Sequence, residues 1–162
     1  MKLRLLIVLW LAAGRLAAAE TPPLLVPYPE GFRAWTHVGS VYSERDEKTK
    51  DRLPHGIVHH IYANAKALEG LRTGNYPEGA MFAADWFPLK VKYAGNLEEG
   101  ARDRTDVMIK DARFAATGGW GYDQFKQDSR EIRSVGGRAP NQCFECHTKA
   151  KKRDYVFTTL RP

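Results

Sequence analysis

Apolar and polar positions along the chain alternate in several short windows, and no long stretch repeats at helical spacing. Ile57-Val-His-His-Ile-Tyr62 is β-branched and aromatic and predicts a strand. Ala80–Phe87, Val107–Lys110 and Trp120–Phe125 predict strands of the same kind. Phe32, Trp35 and Val38 stand three apart, as on a helical turn, while Trp35–Tyr42 is rich in strand-forming types, so a short turn of helix should run into a strand there. Asn64 is placed to cap a short helix over Ala65–Leu71 that stops at Gly74, and Tyr76-Pro-Glu-Gly79 turns the chain into the next strand. Pro88 predicts a bend after that strand. The run Ser43–Arg52 has no apolar residue to bury and reads as a solvated loop. About four or five short strands separated by Gly, Pro and Asp predict an α+β domain, mainly antiparallel sheet with a few short helices.

The N-terminus has a different pattern. Lys2 and Arg4 precede an apolar run, Leu5–Ala13, and Ala17-Ala-Ala19 offers a small-residue cleavage site, which is the layout of a secretory leader. The apolar run falls short of the roughly 18–20 residues a spanning helix needs, and Arg15 interrupts its continuation. Residues 1–19 are thus expected to be removed near Ala19, placing the product in the periplasm or otherwise outside the cytoplasm. Residues 20–30, with Pro22, Pro23, Pro27 and Pro29, read as an extended lead-in, and 31–162 as the folded domain. No later segment is long and apolar enough to span a bilayer.

Charge changes the picture little. The 162-residue chain carries +6, and loss of Lys2, Arg4 and Arg15 with the leader leaves +3 over 143 residues, too weak a field for a nucleic-acid binder. With 43% hydrophobic and 27% charged residues it is an ordinary globular composition, free of low-complexity runs and long-period repeats.

The chemistry lies near the C-terminus. The two cysteines form Cys143-Phe-Glu-Cys146, followed at once by His147, the attachment pattern of c-type haem. On one helical turn two sulfurs at this spacing reach the two vinyl groups of one haem as thioethers, while the adjacent imidazole turns onto the iron. That makes C-terminal haem c, with His147 as its metal ligand, the expected cofactor, and Asn141 after Pro140 is placed to cap the turn. Three other readings compete. A zinc site needs about four ligands, and these are three. A thioredoxin-like pair belongs at the start of a helix in a βαβ unit. A disulfide across two residues closes too small a loop to stabilise much. Thr148–Pro162 contains neither Met nor His, so a second axial ligand must come from Met81, Met108, His37, His55, His59 or His60, or the position is open.

Several phrases, in order, make the chain resemble the cytochrome P-460 family, which includes the cytochromes c′-beta. They are Tyr28–Trp35, the strand leading to Tyr62, Thr73–Gly79, Lys110-Asp-Ala-Arg-Phe114, Gly119-Trp-Gly121, Cys143–His147 and Asp154-Tyr-Val-Phe157. The resemblance covers essentially the whole chain after the leader. It implies a mainly β fold, commonly a homodimer, with one c-type haem whose iron is held by the motif histidine and is open on its distal side.

Members bearing the P-460 name link a lysine to the porphyrin and oxidise hydroxylamine; the aligned position here is Ala84, and Lys90 and Lys92 follow only beyond Pro88. Without that lysine the chain is more similar to the c′-beta type, which binds nitric oxide or carbon monoxide in an apolar pocket. If Ala84 faces the haem, strand parity puts Ala80, Phe82 and Trp86 on its face and turns Met81, Ala83 and Asp85 away. Phe82 is then either a pocket wall or plain core, and His59 and His60 point to opposite faces. Arg113 is a candidate partner for a haem propionate, or a surface arginine. Lys149, Lys151, Lys152 and Arg153 form a solvated face or a docking patch for an acidic redox partner protein.

The functional readings are therefore an exported cytochrome for small diatomic ligands or electron transfer, an oxidoreductase acting on hydroxylamine or another small nitrogen species, and a non-haem thiol or metal-binding structural domain.

Overall fold

A computed structural model describes residues 24–160 except 45, 49, 50, 136, 137 and 139, and the side chains of 140 and 141 are outside the description as well. The expected leader, the start of the lead-in and the Asn141 cap therefore lie outside the described residues. A short 3-10 turn, Phe32–Ala34, leads into β1 (Thr36–Ser43). Then come β2 (Ile57–Ala63), α1 (Ala65–Thr73), β3 (Met81–Tyr93), β4 (Asn96–Glu99), β5 (Arg104–Lys110) and β6 (Trp120–Lys126). The strands form one antiparallel sheet in the order β1-β2-β3-β5-β6, with β4 folded back on the far end of β3. Near the C-terminus a wide turn, Pro140–Phe144, runs into α2 (Glu145–His147) and a 3-10 segment, Thr148–Arg153.

The expected fold class is therefore the observed one, and α1 begins where expected: the Asn64 side chain accepts from the Ala67 N–H, and Gly74, at φ 79°, ends the helix in a conformation glycine adopts without a Cβ penalty. The expected bend at Pro88 is not found. β3 runs through it for 13 residues, because the Pro88 nitrogen faces away from β2 toward the connection between the end of β4 at Glu99 and the start of β5 at Arg104, where no strand requires its missing N–H. The Pro88 carbonyl accepts from Gly100 N–H on the β4 side. β4 itself carries little apolar signal, and its pairing with β3 leaves Val91, Tyr93 and Leu97 exposed.

Side chains of the sheet divide by parity into two packed faces. On one, Phe82, Met108, Trp120 and Tyr122 pack with Ala63, Ala67 and Tyr76, and the C-terminal segment adds Val156, Cys143, Phe144 and Tyr155. On the other, Met81, Val107 and Phe125 pack with Val26, Tyr28 and Trp35, so the lead-in from residue 24 closes that side. This second face also holds Asp85, fully buried and gripped by Arg33 and Arg102.

Candidate functional site

The register of β2, β3, β5 and β6 sets side chains of the first face in rungs. One rung is Ala63, Phe82, Met108 and Tyr122. The next is Ile61, Ala84, Asp106 and Gln124, and the third is His59, Trp86, Arg104 and Lys126. The C-terminal segment packs against the first rung and brings Cys143 and His147 to this face, with Cys146 exposed on the turn between them. Both thiols are free.

His147 is held on three sides. Its ring lies 4.9 Å from that of Tyr122 and 5.0 Å from that of Phe157. Its Nδ1–H donates to the Tyr155 carbonyl at 2.7 Å, and Nε2 has no hydrogen-bond partner among the described residues. Burial holds its pKa below the usual histidine value, against the opposing effect of that hydrogen bond, so the ring is neutral near pH 7. A neutral imidazole with Nδ1–H bonded to a carbonyl and Nε2 free is the arrangement metal-ligating histidines take.

The polar atoms of this face test whether a large group fits it. Among the described residues five buried side-chain polar atoms lack a hydrogen-bond partner: His59 Nδ1, Trp86 Nε1, Trp120 Nε1, Tyr122 OH and Thr105 Oγ1. All but Thr105 are on the face that carries the cysteines. Buried polar atoms are ordinarily satisfied, so their gathering on one face marks a place for a further group. The cysteines, His147 and the apolar rung of Phe82 and Met108 fit a haem there.

The other cysteine readings draw less from the surroundings. Burial, with the Asp106 and Asp123 carboxylates adding to it, pushes the Cys143 thiol up to about 11, opposite to the lowered values of redox-active thiols. No group of three or more His, Cys, Asp and Glu among the described residues stands close enough to hold a metal ion.

The sequence profile of the family Cytochrome P460 matches residues 29–158. The chain belongs to the cytochrome P460 family. That membership supports a monohaem c-type cytochrome and implies haem c, whose attachment the two cysteines of the C-terminal helical segment fit. A comparison with curated proteins found no match. No helix among the described residues is long and apolar enough to cross a membrane.

Phe82, Ala84 and Trp86 stand on the cysteine-bearing face of this P460 chain, and Met81 packs in the opposite cluster. His59 stacks on Trp86, ring centroids 3.9 Å apart, while His60 bonds Ser40 and Glu99 on the other face. His37 also reaches Ser40 there. His55 sits in the loop before β2, where its carbonyl accepts from the Tyr42 hydroxyl. Met108 shares the rung of Phe82. Arg113 is exposed and its guanidinium is committed to Asp111. Lys90 and Lys92 pair with Glu98 across the β3–β4 hairpin. A shallow, open depression where Tyr42, Val58, Leu89 and Leu97 meet His60, Glu98 and Glu99 lies on the face opposite the cysteines.

Sequence reading missed the polar residues beside Ala84. Asp106 stands directly opposite it, recessed among protein atoms yet with 32% of its side chain open to solvent. It accepts from Gln124 Nε2 at 2.8 Å and from Arg104 Nε at 3.1 Å. Burial raises its pKa, against the opposing pull of Arg104 and Gln124. The Arg104 guanidinium lies 3.9 Å above the Trp86 ring. The Trp86 indole N–H is close enough to bear on the Asp106 carboxyl but makes no bond of hydrogen-bond geometry. The signal available was the period-two spacing of Arg104, Asp106 and Met108, which assigns them one face.

His59 makes stability depend on pH. Burial, helped by Arg104 and by His60, lowers its pKa from 6.5 to about 4. Between those values the unfolded chain binds the proton and the folded one does not, so the contribution is present above pH 6.5 and is lost as the pH falls toward about 4. Urea denaturation at pH 7 and pH 4.5 should show a larger loss of stability for the wild type than for His59→Gln. Equal losses would place the protonation elsewhere.

Proposed function

We propose that the chain is an exported cytochrome in which His147 ligates the haem iron through Nε2 and no side chain takes the opposite position, so that it serves small diatomic ligands such as nitric oxide and carbon monoxide, or electron transfer. The observation that carries this reading is the Nδ1–H bond of His147 to the Tyr155 carbonyl, which leaves Nε2 free one residue beyond Cys146. Haem c, when bound, supplies an iron able to take up such a ligand or an electron. The thioethers of Cys143 and Cys146 would hold it, Tyr122 and Phe157 keep the imidazole in place, and Phe82 and Trp86 exclude water on either side of Ala84. Ala84 has no amine to offer. Lys90 and Lys92 are engaged beyond Pro88. Export rests on the leader in residues 1–19. The exposed Lys149, Lys151, Lys152 and Arg153 suit an acidic redox partner, and a homodimer is the assembly proposed from the family.

One observation favours a second reading, an oxidoreductase acting on hydroxylamine or a related nitrogen species. Asp106, opposite Ala84, is a recessed carboxyl whose pKa burial raises, and it can hold or release a proton at its Oδ atoms.

The test is spectroscopic. The ferrous protein, made in a host able to attach haem, should be high spin and five-coordinate, and should bind carbon monoxide and nitric oxide. Its mass should equal the mature chain plus one haem, with no peptide bearing Lys90 or Lys92 joined to the porphyrin. A low-spin ferrous spectrum lost on Met108→Ala would overturn the open position. Hydroxylamine-dependent reduction of an electron acceptor, abolished by Asp106→Asn, would establish the second reading instead.

A further inference from the structure

Two residues that open phrases of the sequence, Lys110 in Lys110-Asp-Ala-Arg-Phe114 and Asp154 in Asp154-Tyr-Val-Phe157, have so far no part in the chemistry. In the fold they meet. Lys110, the last residue of β5, reaches Asp154 Oδ2 at 2.6 Å and the Gly118 carbonyl at 3.3 Å. Its ammonium lies 5.0 Å from the Trp120 ring, and both members of the pair are largely sheltered from solvent.

The backbone at Asp154 is unusual. Asp154 and Tyr155 both have positive φ, 50° and 65°, a region L side chains seldom occupy, and only Gln127 joins them among the described non-glycine residues. This double left-handed turn reverses the chain so that the Tyr155 carbonyl comes back onto His147 Nδ1. The Tyr155 ring is pinned as well. It lies against Phe144, and on the other side against Gly118, where an added Cβ would come within 2.3 Å of the ring. The segment's own backbone closes the turn as a helix C-terminus, with Asp154 N–H donating to the Lys151 carbonyl and Tyr155 N–H to the Ala150 carbonyl, and β5 and the β5–β6 connection add the Lys110 ion pair and the Gly118 contact that tie it to the sheet.

We infer that Lys110 and Asp154 form a clasp that positions the Tyr155 carbonyl and, through it, sets the orientation and donor strength of the His147 imidazole. Both are positioning residues. Neither touches the reacting atoms. The inference rests on the proposed ligation by His147. A well-aligned bond from Nδ1–H to a carbonyl makes the imidazole a stronger donor to a metal at Nε2. When the clasp is broken the turn relaxes, that bond lengthens and the imidazole becomes a weaker donor.

The experiment uses the full haem-loaded chain. It reads the iron–histidine stretching band of the ferrous protein by resonance Raman, together with the reduction potential. Lys110→Met and Asp154→Asn should each shift the band to lower frequency and raise the potential. Asn tolerates the left-handed conformation, so Asp154→Asn removes the charge without forcing the backbone and decides the matter alone if Lys110→Met does not accumulate. Lys110→Arg should restore wild-type values, and Arg130→Gln, which breaks the exposed pair with Glu30, should leave them unchanged. A wild-type band that neither Lys110→Met nor Asp154→Asn moves would overturn the clasp while leaving His147 as the ligand. A high-spin ferrous wild type without such a band would overturn the ligation by His147, and the clasp with it; in a low-spin ferrous protein, which shows no such band, the reduction potentials of the same variants decide the clasp.

Discussion

Replacing both cysteines, Cys143→Ala with Cys146→Ala, should abolish covalent haem completely. Denaturing mass spectrometry of the wild type should show the mature chain plus one haem, and of the double variant the chain alone. Acid–acetone should extract all haem from the variant and none from the wild type. Two sulfurs on one turn against one porphyrin form two thioethers, so each single variant should keep one bond and remain partly resistant to extraction. The apolar rung of Phe82 and Met108 and the His147 imidazole are intact in the double variant. Any haem it still binds is therefore held without a covalent link. Haem that stays with the double variant through extraction would mean that some other side chain forms the bond.

Asp85→Ala should cost about 3–5 kcal/mol, a large part of the roughly 5–15 kcal/mol that holds a domain of this size. Asp85 is fully buried in β3 and accepts from Arg33 Nε at 2.9 Å and from Arg102 through both of its oxygens. Arg102 is itself only 12% exposed and lies over the rings of Phe32 and Phe87. Without the carboxylate its guanidinium stays buried, compensated on one side by Asp128 at the surface. Arg33→Met should cost far less, about 1 kcal/mol, because that guanidinium is more than half exposed. Denaturant unfolding of the haem-loaded protein should show the asymmetry as a large fall in midpoint for Asp85→Ala with an unchanged slope. Similar small shifts for both variants would mean that water enters and replaces the lost carboxylate.

Much of the site was legible because its parts are local. The two sulfurs and the imidazole are neighbours in sequence, and the spacing that lets them grip one porphyrin can be read without the fold. The split of Phe82 and Trp86 from Met81 is equally local. It follows from the two-residue period of a strand, and β3 obeys it. The Asn64 cap and the Gly74 stop are properties of a single helix and were legible for the same reason. The continuation of β3 through Pro88 was not, because whether a proline breaks a strand depends on which neighbour its nitrogen faces, and Pro88 faces the connection between β4 and β5.

What the sequence by itself determined is the haem motif, the strand-rich class and the inward set on each strand. Only the tertiary structure decided which strands lie side by side and in what register, and that is what puts Asp106 and Gln124 in the rung of Ala84 and Arg104 over Trp86. It likewise brought Lys110 to Asp154 and returned the Tyr155 carbonyl to His147. Periodicity belongs to one segment, whereas register belongs to a pair of segments, and slipping one strand by a single residue would turn that strand's side chains to the opposite face and take them out of their rungs.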